Sequence, residues 1–183
     1  MSRLTPQYRA AVALDAIDCV VIRGQTRQNA VSADRLAALG ITADSWGRDI
    51  QAGKLPGHVC VVNGRTAGYC FGDATTGEVV VLALLPRFEG CGIGKRLLSL
   101  VVHELQARGH GRLFLGCARD PATRSHGFYR HLGWRPTGQI DTNDDEVLEL
   151  LLNAGGAALS PAQAAPAASA ARLQVQAPET GSA

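Results

Sequence analysis

Pro86-Arg-Phe-Glu-Gly-Cys-Gly-Ile-Gly-Lys-Arg96 places three alternate glycines, Gly90, Gly92 and Gly94, between an apolar run and an amphipathic segment. Glycine lets the backbone turn tightly and leaves no Cβ to block a ligand. The free N–H groups of a following helix, with a dipole equivalent to roughly half a charge, make a seat for an anion such as a pyrophosphate. The plain alternative is a glycine-rich connection that holds no ligand. Two other phosphate motifs fail on spacing. A P-loop would need glycine at position 89, which is Glu89, and a hydroxyl at position 96, which is Arg96. A dinucleotide fingerprint needs G-x-G-x-x-G, and here the spacing is G-x-G-x-G with no βαβ unit of the right order.

Upstream of this loop, residues 78–85 read as a strand. Its seven consecutive apolar residues, 79–85, imply burial on both faces and a central place in a sheet. Residues 73–77 form a turn before it. Residues 58–62 and 65–71 flank Asn63-Gly64, a strong hairpin signal. A two-residue turn there sets Cys60 opposite Ala67 rather than Cys70. Further back, the β-branched run at 17–22 reads as the first strand, ending at Arg23-Gly24. Residues 32–39 have helical spacing and stop at Gly40, and Thr42 caps a second helix running towards Gly53.

Downstream, Ile93, Leu97, Val101 and Leu105 recur every four residues, the apolar face of a helix that ends at Gly109-His-Gly111. Residues 112–117 read as a strand. Asp120-Pro121 starts the next helix, since Asp accepts free N–H bonds and Pro needs none, and Gly133 ends it. Residues 134–138 and 147–152 close the chain's order as two strands.

The loop spacing resembles the acetyl-CoA loop of the GNAT acetyltransferases, Q/R-x-x-G-x-G/A, laid on residues 89–94. Gly127-Phe-Tyr-Arg-His-Leu-Gly-Trp134 is similar to that family's later helix motif, an aromatic and Tyr, two polar residues, Leu-Gly and an aromatic. The resemblance covers about 150 residues and implies an α+β fold. In it, a mixed, mostly antiparallel sheet is flanked by helices in the order β-α-α-β-β-β-α-β-α-β-β. It also implies acetyl-CoA as co-substrate, with Leu84, Leu85, Glu89, Gly90, Cys91, Gly92, Ile93, Gly94 and Lys95 around it. An amine acceptor would attack the thioester directly in a ternary complex, with a backbone N–H near Leu84 polarising the carbonyl. Tyr129 would protonate the departing thiolate, although packing is the plain alternative for a Phe-Tyr pair on a helix. In histone-acetyltransferase-type members a Glu at the offset of Glu78 is the general base. On a regular strand Glu78, Val80, Leu82 and Leu84 share one face. The alternative is a carboxylate in a turn.

Two positions depart from the family pattern. Glu89 stands where Gln or Arg is usual, and a carboxylate there repels a pyrophosphate unless it turns outward. Arg87, Lys95 and Arg96 offer compensating charge. Ala122 stands where many members carry a cofactor-contacting Asn. A non-catalytic CoA or acyl-CoA sensor on the same fold is therefore the competing function, one that needs neither Tyr129 nor Glu78.

Composition narrows the remaining classes. A net charge of +2, with no Lys/Arg run, argues against nucleic acid or an anionic membrane as partner. No apolar run approaches the ~20 residues of a membrane helix. Asp15 cuts short the apolar stretch 10–14, so it is not read as a secretion signal. Five cysteines without C-x-x-C spacing read as buried thiols of a cytoplasmic protein. The histidines show no metal-ligand spacing, so no metal is expected. From Ala154 onward Ala, Pro, Ser and Gly dominate, so the domain is read as 1–153 and 154–183 as a disordered tail. The acceptor is left open between small-molecule and protein amines, and the acidic stretch 141–146 is read as a solvated hairpin turn, with attraction of a cationic amine substrate as the alternative. The assembly is left open between monomer and homodimer.

Overall fold

The structure, a computed structural model, describes residues 5–152. The tail reading for 154–183 and the domain boundary lie outside the described residues. Twelve elements run in the order β1 (Gln7–Ala10), α1 (Asp15–Arg23), α2 (Ala33–Ala38), α3 (Ala43–Gln51), β2 (Gly57–Val62), β3 (Arg65–Gly72), β4 (Val79–Leu84), α4 (Ile93–Ala107), β5 (Arg112–Cys117), α5 (Arg124–His131), β6 (Arg135–Ile140) and β7 (Glu146–Leu151). β1-β2-β3-β4 form one antiparallel sheet and β5-β7-β6 another. They meet at one parallel bridge, Glu78 with Phe114. β4 is thus central across the two sheets, and beyond that bridge β4 and β5 part. The α+β reading with a mostly antiparallel sheet holds.

The first strand is a correction. Residues 17–22 lie in α1, and the strand is Gln7–Ala10 instead. Asp15 decides the local structure. Its carboxylate accepts from the Val12 N–H at 2.8 Å and takes both Arg9 nitrogens at 2.6 and 2.7 Å, which opens the helix and fastens it to β1. Ala16, Cys19 and Ile22 then fall on one buried helical face. The outward face carries Leu14, Ile17 and Val21, all exposed, so the segment is apolar nearly all round and mimics a strand.

The Asn63-Gly64 hairpin forms with positive φ at both residues, 52° and 73°. A bulge follows it. Val61 pairs with Thr66, but Cys60 then pairs with Gly68, leaving Ala67 as the extra residue, so the expected Cys60–Ala67 pairing is shifted by one. All five cysteines are free, and only Cys91 is exposed.

The first sheet is covered on both faces. One face packs Val59, Tyr69, Phe71, Val80, Val81 and Ala83 against Trp46 of α3, Leu36 of α2 and the buried face of α1. The other packs Cys60, Cys70 and Val79 against Leu97, Val101 and Leu105 of α4. Among the described residues no helix is long and apolar enough to cross a membrane.

Candidate active site

The parting of β4 from β5 opens a cleft, and a cavity of about 390 Å³ lies in it. Its walls come from four places. β4 supplies Val80 to Leu84, and the glycine loop supplies Glu89, Gly90, Gly92, Gly94 and Lys95. The end of α1 contributes Arg23, the α1–α2 connection Thr26, Arg27, Gln28 and Asn29, and α5 Arg124, Ser125, Phe128 and Tyr129.

The loop is shaped as an anion seat needs. After a short 3-10 turn at Pro86–Phe88, Gly90 and Gly92 take φ of 75° and 80°. A side chain there would meet nothing within 4 Å, so it is the left-handed backbone that calls for glycine. Gly92 is the N-cap of the fifteen-residue α4 and offers no side chain to occupy the first-turn N–H groups. Gly94 lies deeper, where an added Cβ would come within 3.5 Å of Leu84.

Glu89 lines the cavity with its charge already paired. Its carboxylate is turned to two guanidiniums, Arg27 at 2.9 Å and Arg124 at 2.5 Å. Both arginines are more than half exposed, so each pair is worth at most about 1 kcal/mol. Their effect is to neutralise the carboxylate where it lines the cavity. The compensation expected from Arg87 and Arg96 comes from elsewhere, because Arg87 stacks on Phe88 and Arg96 does not line the cavity. Lys95 does line it.

The Leu85 N–H donates to the Ala67 carbonyl at 2.9 Å. Alternate residues of a strand send their N–H groups to opposite edges, so that of Leu84 faces the open side, where Leu84 lines the cavity. Tyr129 is buried, edge-on to Phe128 and Trp134 with centroids 5.1 and 6.1 Å away. Burial pushes its phenol well above the ordinary range, the nearby Cys70 and Cys117 thiols add to this, and the Arg23 charge opposes it. It keeps its proton throughout the physiological range.

Leu84, Glu89, Gly90, Gly92, Gly94, Lys95 and Tyr129 are thus brought together, whereas Leu85, Cys91, Ile93 and Glu78 do not line the cavity. Glu78 is buried at the bridge to Phe114. The shared face with Val80, Leu82 and Leu84 does not exist. A register shift pairs Gly72 with Val79 and Phe71 with Val81, so Val80 joins the α1–α3 core while Leu82 and Leu84 join the α4 core. The helix expected at Asp120-Pro121 begins at Arg124, after a turn in which Asp120 takes the Ala122 N–H at 2.8 Å. Ala122 does not line the cavity.

The model of the acetyltransferase (GNAT) family matches residues 30–134, more than half the chain. The chain belongs to the GNAT acetyltransferase family. Solved structures agree on the fold of this acetyltransferase at low identity. PaiA N-acetyltransferase from Thermoplasma acidophilum, in complex with coenzyme A, is 15% identical with a TM-score of 0.67, over 80% of this chain and 99% of that one. The ribosomal-protein-S18-alanine N-acetyltransferase from Escherichia coli is 18% identical with a TM-score of 0.63, over 85% and 99%. YncA, a putative acetyltransferase from Salmonella typhimurium with acetyl-CoA, is 21% identical with a TM-score of 0.64, over 92% and 100%. No curated protein matches the sequence.

The sequence reading missed Arg23, Arg27, Arg124 and Phe128. Arg23 follows Ala16 and Cys19 on the buried face of α1, and a charge on an apolar face is a signal. It is visible only once the segment is taken as a helix.

Proposed function

We propose that this acetyltransferase moves the acetyl group of acetyl-CoA directly to a primary amine in a ternary complex, with Tyr129 as general acid. The observation that carries this is the meeting, in one cavity, of the glycine loop at the α4 N-terminus with a buried phenol on α5. Acetyl-CoA supplies the activated acetyl group and a pyrophosphate for the N–H groups of the loop. The Leu84 N–H donates to the thioester oxygen as negative charge develops there. The amine nitrogen bonds to the carbonyl carbon, the carbon–sulfur bond breaks, and the Tyr129 hydroxyl gives its proton to the sulfur. Water takes the proton that the amine loses and restores the one Tyr129 gave. Glu78, outside the cavity wall, is given no contact with the acceptor in this scheme. The free thiols support a reducing compartment, the cytoplasm.

A panel of primary amines incubated with acetyl-CoA, read by released thiol, tests this. Acetylation of any amine, with saturation in both substrates, supports the reading. Tight CoA binding without turnover on the whole panel favours the sensor alternative.

A further inference from the structure

Resting on the acetyl-CoA reading, we propose that Glu89 is a positioning residue, holding Arg27 and Arg124 beside the glycine loop as guanidinium donors for the pyrophosphate of acetyl-CoA. A carboxylate in a phosphate site then aids binding, the reverse of what its charge alone implies. Both guanidiniums converge on one oxygen. Arg27 donates from Nε at 2.9 Å and Arg124 from Nη1 at 2.5 Å, each to Glu89 Oε2. They come from different walls, the α1–α2 connection and the first residue of α5, and both line the cavity with Gly90 and Gly92. A guanidinium has five N–H donors. Among the described residues each of these two spends one of them, on Glu89.

A second contact fixes the placing of the pair. Thr123, the N-cap of α5, makes no side-chain capping bond, and Gln28 Oε1 accepts from the Arg124 N–H at 3.1 Å instead. Arg27 and Gln28 are neighbours in the chain, so the contacts close a ring from Glu89 to Arg27, from Gln28 to Arg124, and from Arg124 back to Glu89. Two effects of Glu89 then oppose each other. Its charge repels phosphate, but two cations already offset it, and salt screens what is left over about 8 Å. Against this stands ordering. Both arginines are long and more than half exposed, so without Glu89 the ligand itself must immobilise them. Ordering two such side chains outweighs one screened charge.

The test titrates CoA and dephospho-CoA, which share the pyrophosphate, by calorimetry into the full chain. The proteins are wild type, Glu89→Gln, the double variant Arg27→Gln with Arg124→Gln, and the triple variant. Glu89→Gln should weaken both ligands by about 3- to 10-fold, although it removes a negative charge. Glu89→Ala should do the same, and it serves if the Gln variant does not fold. In the double-variant background Glu89→Gln should cost nothing or tighten binding, since only the repulsion is then left to remove. The double variant should also flatten the dependence of log Kd on salt concentration, which a loss of local structure alone would not do. Unchanged or tighter CoA binding by Glu89→Gln overturns the proposal. So does an equal loss with and without the two arginines, which makes Glu89 a structural residue of the loop. A loss seen with CoA but not with dephospho-CoA overturns it as well, because the arginines then serve the 3′-phosphate. Absence of CoA binding by wild type removes the acetyl-CoA reading and the proposal with it, whereas the other adverse outcomes remove the proposal alone.

Discussion

Tyr129 is asked to give up a proton from a place that burial makes hostile to the resulting phenolate. Burial therefore holds the proton on the phenol until negative charge develops on the departing sulfur beside it. Tyr129→Phe keeps the ring and its contacts with Phe128 and Trp134 and removes only the donor. Turnover should fall by roughly two to four orders of magnitude, while CoA affinity and melting temperature change little. Near-normal turnover would falsify the acid assignment and leave the family membership untouched. Glu78→Gln is the companion. A base acting through water would show as a lost kcat and a missing acid limb in the pH profile. Its place outside the cavity wall predicts instead that kcat is retained and the acid limb is unchanged. At this scale the sequence is legible where a residue's job is local: glycines set a backbone, and a Tyr sits in a helix motif. It is silent where the partner is distant. Glu89 is separated from Arg27 by 62 residues and from Arg124 by 35, so no spacing rule shows that the carboxylate is neutralised.

Among the elements, hairpins and the long helix α4 were legible because turn chemistry and a four-residue repeat act within a short window. α1 was not, because its exposed Leu14, Ile17 and Val21 hide the helical period. The two bulges, at Ala67 and Val80, were also hidden, since an extra residue is fixed by how neighbouring strands fit. The β6–β7 connection carries a further consequence. The Asp145 carboxyl is pushed up to about 7 by burial first, then by Asp141 and Asp144. Its folded value exceeds its unfolded one, so ionising it opposes folding. Stability contributed by the protonated form is present below pH 4 and is lost as pH rises towards about 7. Asp145→Asn should therefore gain in melting temperature over wild type between pH 5 and pH 8, with the gap widening as pH rises. A gap that is flat across that range would place Asp145 in ordinary solvent.

Across the whole molecule, two sheets joined by one bridge leave the cleft dependent on what spans it. Side chains do part of that. The Arg27–Glu89–Arg124 pairs, and the Arg124 N–H donating to Gln28 at 3.1 Å, tie the α1–α2 connection and the glycine loop to α5. A ligand seated on the loop and reaching Tyr129 touches the same parts, so it binds the assembled fold and not the opened one. At one hundred times its dissociation constant such a ligand stabilises by about 2.7 kcal/mol. For a domain of this size that is a melting shift of roughly 5–10 °C. CoA and acetyl-CoA should produce it, and ATP and NAD should produce much less, since they lack the pantetheine arm that the proposed acetyltransfer requires to reach Tyr129. Gly92→Asp separates the loop from the rest. An aspartate at Gly92 puts a negative charge at the first-turn N–H groups of α4 and strains a backbone at φ near 80°. The unliganded variant should melt somewhat below wild type, and the CoA shift, read against the variant's own unliganded melting temperature, should vanish because the seat bears a negative charge. A CoA shift that survives Gly92→Asp, or equal shifts from CoA and ATP in wild type, would move the pyrophosphate away from the α4 N-terminus.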